Sequence, residues 1–170
     1  QVGMVDLLAT ASDRVSMSDA WRARIAPLRD GSADTGLAPI ASLSAILRPY
    51  QRRGHAWLTA RMSGGIGGIL ADDMGLGKTV QILSAVAAVR AHKGGDANAP
   101  VLVVAPTSVV GVWVEQARQF TPQLRVRTVT ETAARRGTTI TQEAANADII
   151  VTSYTLVRLE AQQWSQVRLG

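Results

Sequence analysis

Four short apolar runs punctuate the chain, at residues 66–71 (IGGILA), 101–105 (VLVVA), 124–129 (LRVRTV) and 148–152 (DIIVT), and each reads as a strand. Between and after them the periodicity turns helical. From Lys78 to about His92, Val80, Leu83 and Ala87 form one stripe and Ile82, Val86 and Val89 another. A helix apolar on most sides is buried between a sheet and a second layer. Helices are expected again over 109–120, 139–147 and 155–163. Strands that alternate with helices predict an α/β fold, a mostly parallel sheet with helices on both faces.

Upstream, Pro49 is suited to the first position of a helix on which Tyr50, Trp57 and Leu58 share one side. Residues 1–36 say least. A short helix is expected near 5–11 and a second after Ser18, a fair N-cap, with Trp21, Ile25 and Leu28 on one face and Arg22, Arg24 and Arg29 elsewhere. Pro27 ends or bends it. Those arginines are either a DNA-facing patch or a solvated surface. The Gly, Ser and Pro of 30–39 make the clearest linker, so the chain divides into a helical extension with linker, 1–36, and a main domain, 37–170.

Composition adds bounds. A length of 170 residues holds one domain with a real core, and 46% apolar with 18% charged residues fits a folded globular protein. No apolar run approaches the ~20 residues that cross a bilayer, so a soluble intracellular protein with no membrane partner is expected. Cysteine is absent, which excludes disulfides and thiolate metal sites. The net charge of +5 suits a polyanionic partner, although nucleotide alone accounts for part of it.

Residues 70–80, LADDMGLGKTV, carry the chemistry. A strand, a glycine-bearing loop and a helix follow in order, as in a phosphate-binding loop. Polyphosphate packs several negative charges into a small volume, so holding it takes converging N–H groups, a helix N-terminus and one reaching ammonium. Gly75 and Gly77 permit the curl, Lys78 supplies the charge, and the Thr79 hydroxyl stands where a magnesium ligand is expected. The full pattern G-x-x-x-x-G-K-S/T is met except that Asp72 takes the place of the first glycine.

Further positions admit two readings each. Gln51, in the first turn of the Pro49 helix, has an amide able to donate to and accept from one adenine edge, or is an ordinary surface glutamine. Thr107-Ser108 and Thr152-Ser153 close two strands, where such hydroxyls cap the following helix, contact nucleic-acid phosphates, or do both. His55 reads as a packed or surface histidine rather than a metal ligand.

Taken together, LRPYQRRG, LADDMGLGKTVQ, VLVVAPTSVVGVW and DIIVTSYTLVR resemble the SWI/SNF-type branch of superfamily two DNA translocases, over roughly residues 43–158. The resemblance implies the N-terminal part of the first of two RecA-like lobes. It implies ATP with Mg2+ as cofactors, and Arg48, Tyr50 and Gln51 at the adenine. Asp72, Asp73, Met74, Gly75, Leu76, Gly77, Lys78 and Thr79 would wrap the phosphates, with Lys78 and Thr79 serving hydrolysis. Thr107, Ser108, Thr152 and Ser153 would touch one strand of double-stranded DNA. Implied partners are duplex DNA, a second RecA-like lobe and nucleoprotein complexes, in the bacterial cytoplasm or the eukaryotic nucleus. The alternatives are another P-loop NTPase or kinase, and a non-catalytic nucleotide-binding module.

The chain also departs from the pattern. Val112 and Gln116 flank Trp113 where such families usually carry Asn and Glu, with Glu115 one place early, and Thr130-Glu131 replaces a common His-Gly pair. The acidic Asp-Glu box of the resembling family would follow Gly170. Hydrolysis needs a carboxylate on magnesium and arginines from a second lobe. The expectation is that these 170 residues bind nucleotide weakly and do not hydrolyse it.

Overall fold

The computed structural model describes residues 18–19, 37–44, 46–92 and 99–170. The chain divides after Asp34, and every element below lies in the second unit, Thr35–Gly170. The helix expected near 5–11, and the one after Ser18 beyond Asp19, fall outside the described residues.

In order, the elements are α1 (Ala41–Ser44), α2 (Pro49–Gly64), α3 (Lys78–Ala91), β1 (Val101–Ala105), α4 (Thr107–Phe120), β2 (Val126–Val129), α5 (Ala133–Arg136), α6 (Ile140–Ala145), β3 (Ile149–Ser153), α7 (Tyr154–Leu159) and α8 (Ala161–Trp164). The three described strands form one parallel sheet in the order β1-β3-β2. Central β3 is buried along its whole length, which is why IIVTS reads as continuous rather than alternating. Its side chains still alternate between faces. Ile149 and Val151 pack with Leu83 and Val86 of α3 and Val110 and Ala117 of α4. Ile150 packs on the other side with Val129, Ile140, Ala144, Leu156 and Trp164. The sheet is therefore covered on both faces.

Two expectations need correction. Residues 66–71 join none of the ladders, and Ile69 is 86% exposed. A strand requires a neighbour for its N–H and C=O groups, and no described strand pairs with this segment. It rests on α2 instead: Arg61 NH1 donates to the Gly67 carbonyl at 3.1 Å, and a Cβ on Gly68 would come within 2.4 Å of the Trp57 ring. Arg61 itself stacks over that ring, 4.4 Å from its centroid. The buried stripe of α2 also differs from the apolar one expected. Gln51, His55 and Thr59, spaced four apart, face inward with Ala60, whereas Tyr50, Trp57 and Leu58 are half-buried.

Other boundaries move by a few residues. The helix after β1 starts at Thr107, α6 begins after a capping box of Thr139 with Gln142, and the last helical stretch breaks at Glu160 into α7 and α8. The turn Ala133–Arg136 was not expected.

At the amino edge of the sheet, Asp148 accepts from the Arg125 backbone N–H (2.8 Å), Nε (3.1 Å) and NH2 (3.1 Å), and pairs with Arg90 NH1 at 3.6 Å. Burial alone pushes this carboxyl up, but the bonds from Arg125 and the charges of Arg125 and Arg90 outweigh it and hold it below its ordinary value. Arg90 NH2 also donates to the Ala99 carbonyl just before β1. Since the C-terminal end of α3 is fastened at the amino edge, its N-terminus, ~18 Å away along a helix rising 1.5 Å per residue, reaches the carboxyl edge.

Candidate nucleotide site and nucleic-acid edge

The loop before α3 is built on two glycines in left-handed backbone, Gly75 (φ 84°) and Gly77 (φ 75°). A Cβ on Gly75 would meet nothing within 4 Å, whereas a Cβ on Gly77 would sit 2.6 Å from Gln51 Nε2. Gly77 is the N-cap of α3, so the first-turn amides of Lys78, Thr79 and Val80 have no helical acceptor and face the loop mouth. Lys78 Nζ curls back to donate to the main-chain carbonyls of Asp72 (2.6 Å) and Asp73 (2.8 Å). The Thr79 side chain is half-buried one residue on, and Met74 at the tip is 96% exposed.

Helix α2 holds this loop from one side. Gln51 Nε2 donates to the Leu76 carbonyl at 3.2 Å and Tyr50 OH donates to the same oxygen at 3.1 Å. Gln51 Oε1 accepts from the Arg48 N–H at 2.9 Å, closing the first turn of α2. Each half of the Gln51 amide thus has one bond made, with one N–H and one lone pair in reserve. The structure brings Tyr50 and Gln51 to the loop residues 72–79; Arg48 joins them through its backbone.

Behind the loop, α2 meets α3 along a polar seam that the apolar pattern does not announce. His55 is buried, with Nδ1 2.9 Å from Ser84 Oγ and Nε2 2.6 Å from the Leu37 carbonyl. Because Leu37 offers only an acceptor, Nε2 carries the proton and Nδ1 accepts from the Ser84 hydroxyl. Burial lowers the imidazole from its ordinary value, partly offset by the bond to Leu37. Gln81 Nε2 donates to Asp72 Oδ2 at 2.8 Å. The signal in the sequence is the spacing of polar residues at 51, 55 and 59 on one helix and 81 and 84 on the next.

The two hydroxyl pairs meet at one edge, since Ala105 and Ser153 are register partners at the carboxyl ends of β1 and β3. Their environments differ. Thr107 and Ser108 are exposed at the start of α4, whose N-cap is Pro106 with no side-chain bond. Ser153 is buried and its Oγ accepts from the Leu156 N–H at 3.3 Å, capping α7. Thr152 is fully buried and donates to the Val129 carbonyl at 2.8 Å, joining β3 to β2. As the chain is folded, Thr107 and Ser108 present free hydroxyls outward, Ser153 presents little, and Thr152 is committed to the sheet.

The donor set of the loop fits a polyphosphate: one ammonium, the opening amides of a 14-residue helix and a hydroxyl one residue on. Sheet, loop and helix together define a RecA-like P-loop lobe. The chain belongs to the SNF2-related domain family, whose profile matches residues 50–169. It is 41% identical over 137 residues to a chromatin-remodeling ATPase INO80 of Sclerotinia sclerotiorum, covering 75% of this chain and 8% of that relative. The Sulfolobus solfataricus SWI2/SNF2 ATPase core domain superposes with a TM-score of 0.62 at 33% identity, covering 72% of this chain and 24% of that one. The same core in complex with dsDNA gives 0.57 at 33% identity, over 68% and 23%. The chain therefore spans only a small part of the length of the relatives it matches.

Proposed function

We propose that residues 37–170 are the nucleotide-gripping part of the first lobe of an ATP-driven motor that tracks along double-stranded DNA, preceded by an extension over 1–36. The observation that carries this is the Lys78 ammonium, held by two main-chain carbonyls inside a loop curled at Gly75 and Gly77. Those carbonyls hold the ammonium only as neutral acceptors do. An incoming β- or γ-phosphate offers full charge, so the amine transfers to it while the first-turn amides of α3 bind the same oxygens. Thr79 would contribute one oxygen to Mg2+, which neutralises the phosphates and polarises the bond to be broken.

Adenine would lie against α2, read by the donor and acceptor that Gln51 keeps in reserve, with Tyr50 and Arg48 beside it. Duplex DNA would cross the carboxyl edge of the sheet, its phosphates met by Thr107, Ser108 and the α4 N-terminus, with Ser153 and Thr152 shaping the edge beneath. The relatives' names and the DNA-bound Sulfolobus core support this reading. Work on DNA places the protein in the nucleus of a eukaryote or the cytoplasm of a bacterium, and nucleoprotein complexes would be its substrates.

Hydrolysis needs more than these residues supply. Among the described residues no group of three or more His, Cys, Asp or Glu could hold a metal ion, and Asp72 is engaged by Gln81. A magnesium-binding carboxylate and the arginines of a second lobe would complete the site. A phosphate-release assay tests the whole: residues 1–170 bind nucleotide without turnover, whereas a longer chain carrying both lobes turns over faster with duplex DNA. DNA-independent turnover of a small-molecule substrate would favour a kinase instead.

A further inference from the structure

Gln81 lies three residues beyond the phosphate-binding lysine, is 0% exposed, and has a buried Oε1 with no hydrogen-bond partner. Leaving half of a primary amide unsatisfied in the interior is unfavourable, and a leucine at this helix position would avoid it. The other half explains its presence: Nε2 donates to Asp72 Oδ2 at 2.8 Å. Helix α2 makes room for it, since a Cβ on Gly54 would lie 1.8 Å from Gln81 Oε1.

Asp72 is also the residue that replaces the first glycine of the full loop pattern. An acidic side chain there threatens the site, because its own carbonyl oxygen is only 2.6 Å from Lys78 Nζ. A carboxylate turned toward that ammonium would neutralise it before a nucleotide arrived. Yet the Lys78 ammonium touches main-chain oxygens alone, and among the described residues no ion pair joins it to Asp72 or Asp73. We propose that Gln81 is a positioning residue that holds the Asp72 carboxylate off Lys78, keeping the ammonium available to phosphate. This rests on the nucleotide reading of the loop, but half of its test does not.

The variant is Gln81→Met, which keeps the volume and removes the donor. Lys78 and Lys93 are the chain's two lysines, so limited acetylation at fixed pH, read by peptide mass spectrometry, reports Lys78 with Lys93 as internal reference. A carboxylate bonded to the amine occupies the nitrogen that must attack the acylating reagent, and slows its modification. In Gln81→Met without nucleotide, the Lys78-to-Lys93 ratio should fall at least about threefold, as the amine is tied up by the freed carboxylate. The double variant Asp72→Asn, Gln81→Met should recover it. With an ATP analogue, Gln81→Met should bind about tenfold more weakly, and Asp72→Asn in that background should regain most of the loss. An unchanged ratio, or a fall that Asp72→Asn does not reverse, overturns the proposal. If the ratio behaves as stated but neither wild type nor Gln81→Met binds nucleotide, the loop reading fails and the positioning role stands. Should Gln81→Met lose its thermal transition, Gln81→Glu with Asp72→Asn, which restores one hydrogen bond with donor and acceptor exchanged, must give the wild-type ratio.

Discussion

Gln51 and Leu76 are joined across 25 residues by a 3.2 Å hydrogen bond from the side-chain amide to the main-chain carbonyl. One end of the bond is the first turn of α2 and the other is the loop curled at Gly75 and Gly77, so helix and loop share a fixed spacing. Gln51→Ala removes this bond and the one from Arg48 N–H, on the order of 1 kcal/mol each. The expected outcome is a lower melting temperature together with a weakened preference for ATP over GTP in competition binding. A loss of stability with preference intact would leave Gln51 as a clamp alone.

The two loop glycines should respond unequally to alanine. Left-handed backbone costs a side chain roughly 1–2 kcal/mol at either site. Gly77 alone adds an overlap, with the new Cβ 2.6 Å from Gln51 Nε2, while Gly75 faces open space. Gly77→Ala should therefore weaken nucleotide binding more than Gly75→Ala, as measured by titration with a fluorescent ATP analogue. Equal effects would mean that the loop shifts away from α2 without cost.

His55 gives stability a dependence on pH. Its folded pKa lies below the ordinary 6.5, so in the window between the two values the unfolded chain binds the extra proton. The contribution is complete above pH 6.5 and is lost as pH falls toward the folded value. Denaturant midpoints measured from pH 7.5 down to 5 should decline through this range, and His55→Asn should flatten that decline while lowering stability at pH 7.5.

At the carboxyl edge, Thr107→Ala and Ser108→Ala should each weaken duplex DNA binding by roughly threefold to tenfold, on the order of 1 kcal/mol per lost phosphate contact. Thr152→Val should instead lower stability, because it removes the 2.8 Å bond to Val129 from a buried position. Fluorescence anisotropy and thermal melts separate these effects. A Thr107 variant with unchanged affinity would move the DNA path off this edge.

Much of the architecture was legible in the sequence, because IIVTS and VLVVA are short, β-rich and bounded by turn residues, and Lys78 opens a long periodic helix. The loop was legible for the same reason: Gly75, Gly77 and Lys78 have few other uses at that spacing. The apolar run at 66–71 misled, since hydrophobicity signals burial but does not name a strand's partner; Trp57 and Arg61 supplied the surface instead. The polar ridge of Gln51, His55 and Thr59 was hidden because helical periodicity is read from apolar positions, whereas this face is held by hydrogen bonds to α3 and the loop. Sequence also could not separate Thr152 from Ser153, whose adjacent hydroxyls point to opposite faces of β3.

The most direct measurement is calorimetric titration of a non-hydrolysable ATP analogue with magnesium into the wild-type chain and into Lys78→Ala, both shown folded by circular dichroism. Wild type should bind saturably, and the variant without the ammonium should lose at least about tenfold in affinity. Equal affinity of the two proteins would mean that Lys78 does not grip the nucleotide's phosphates.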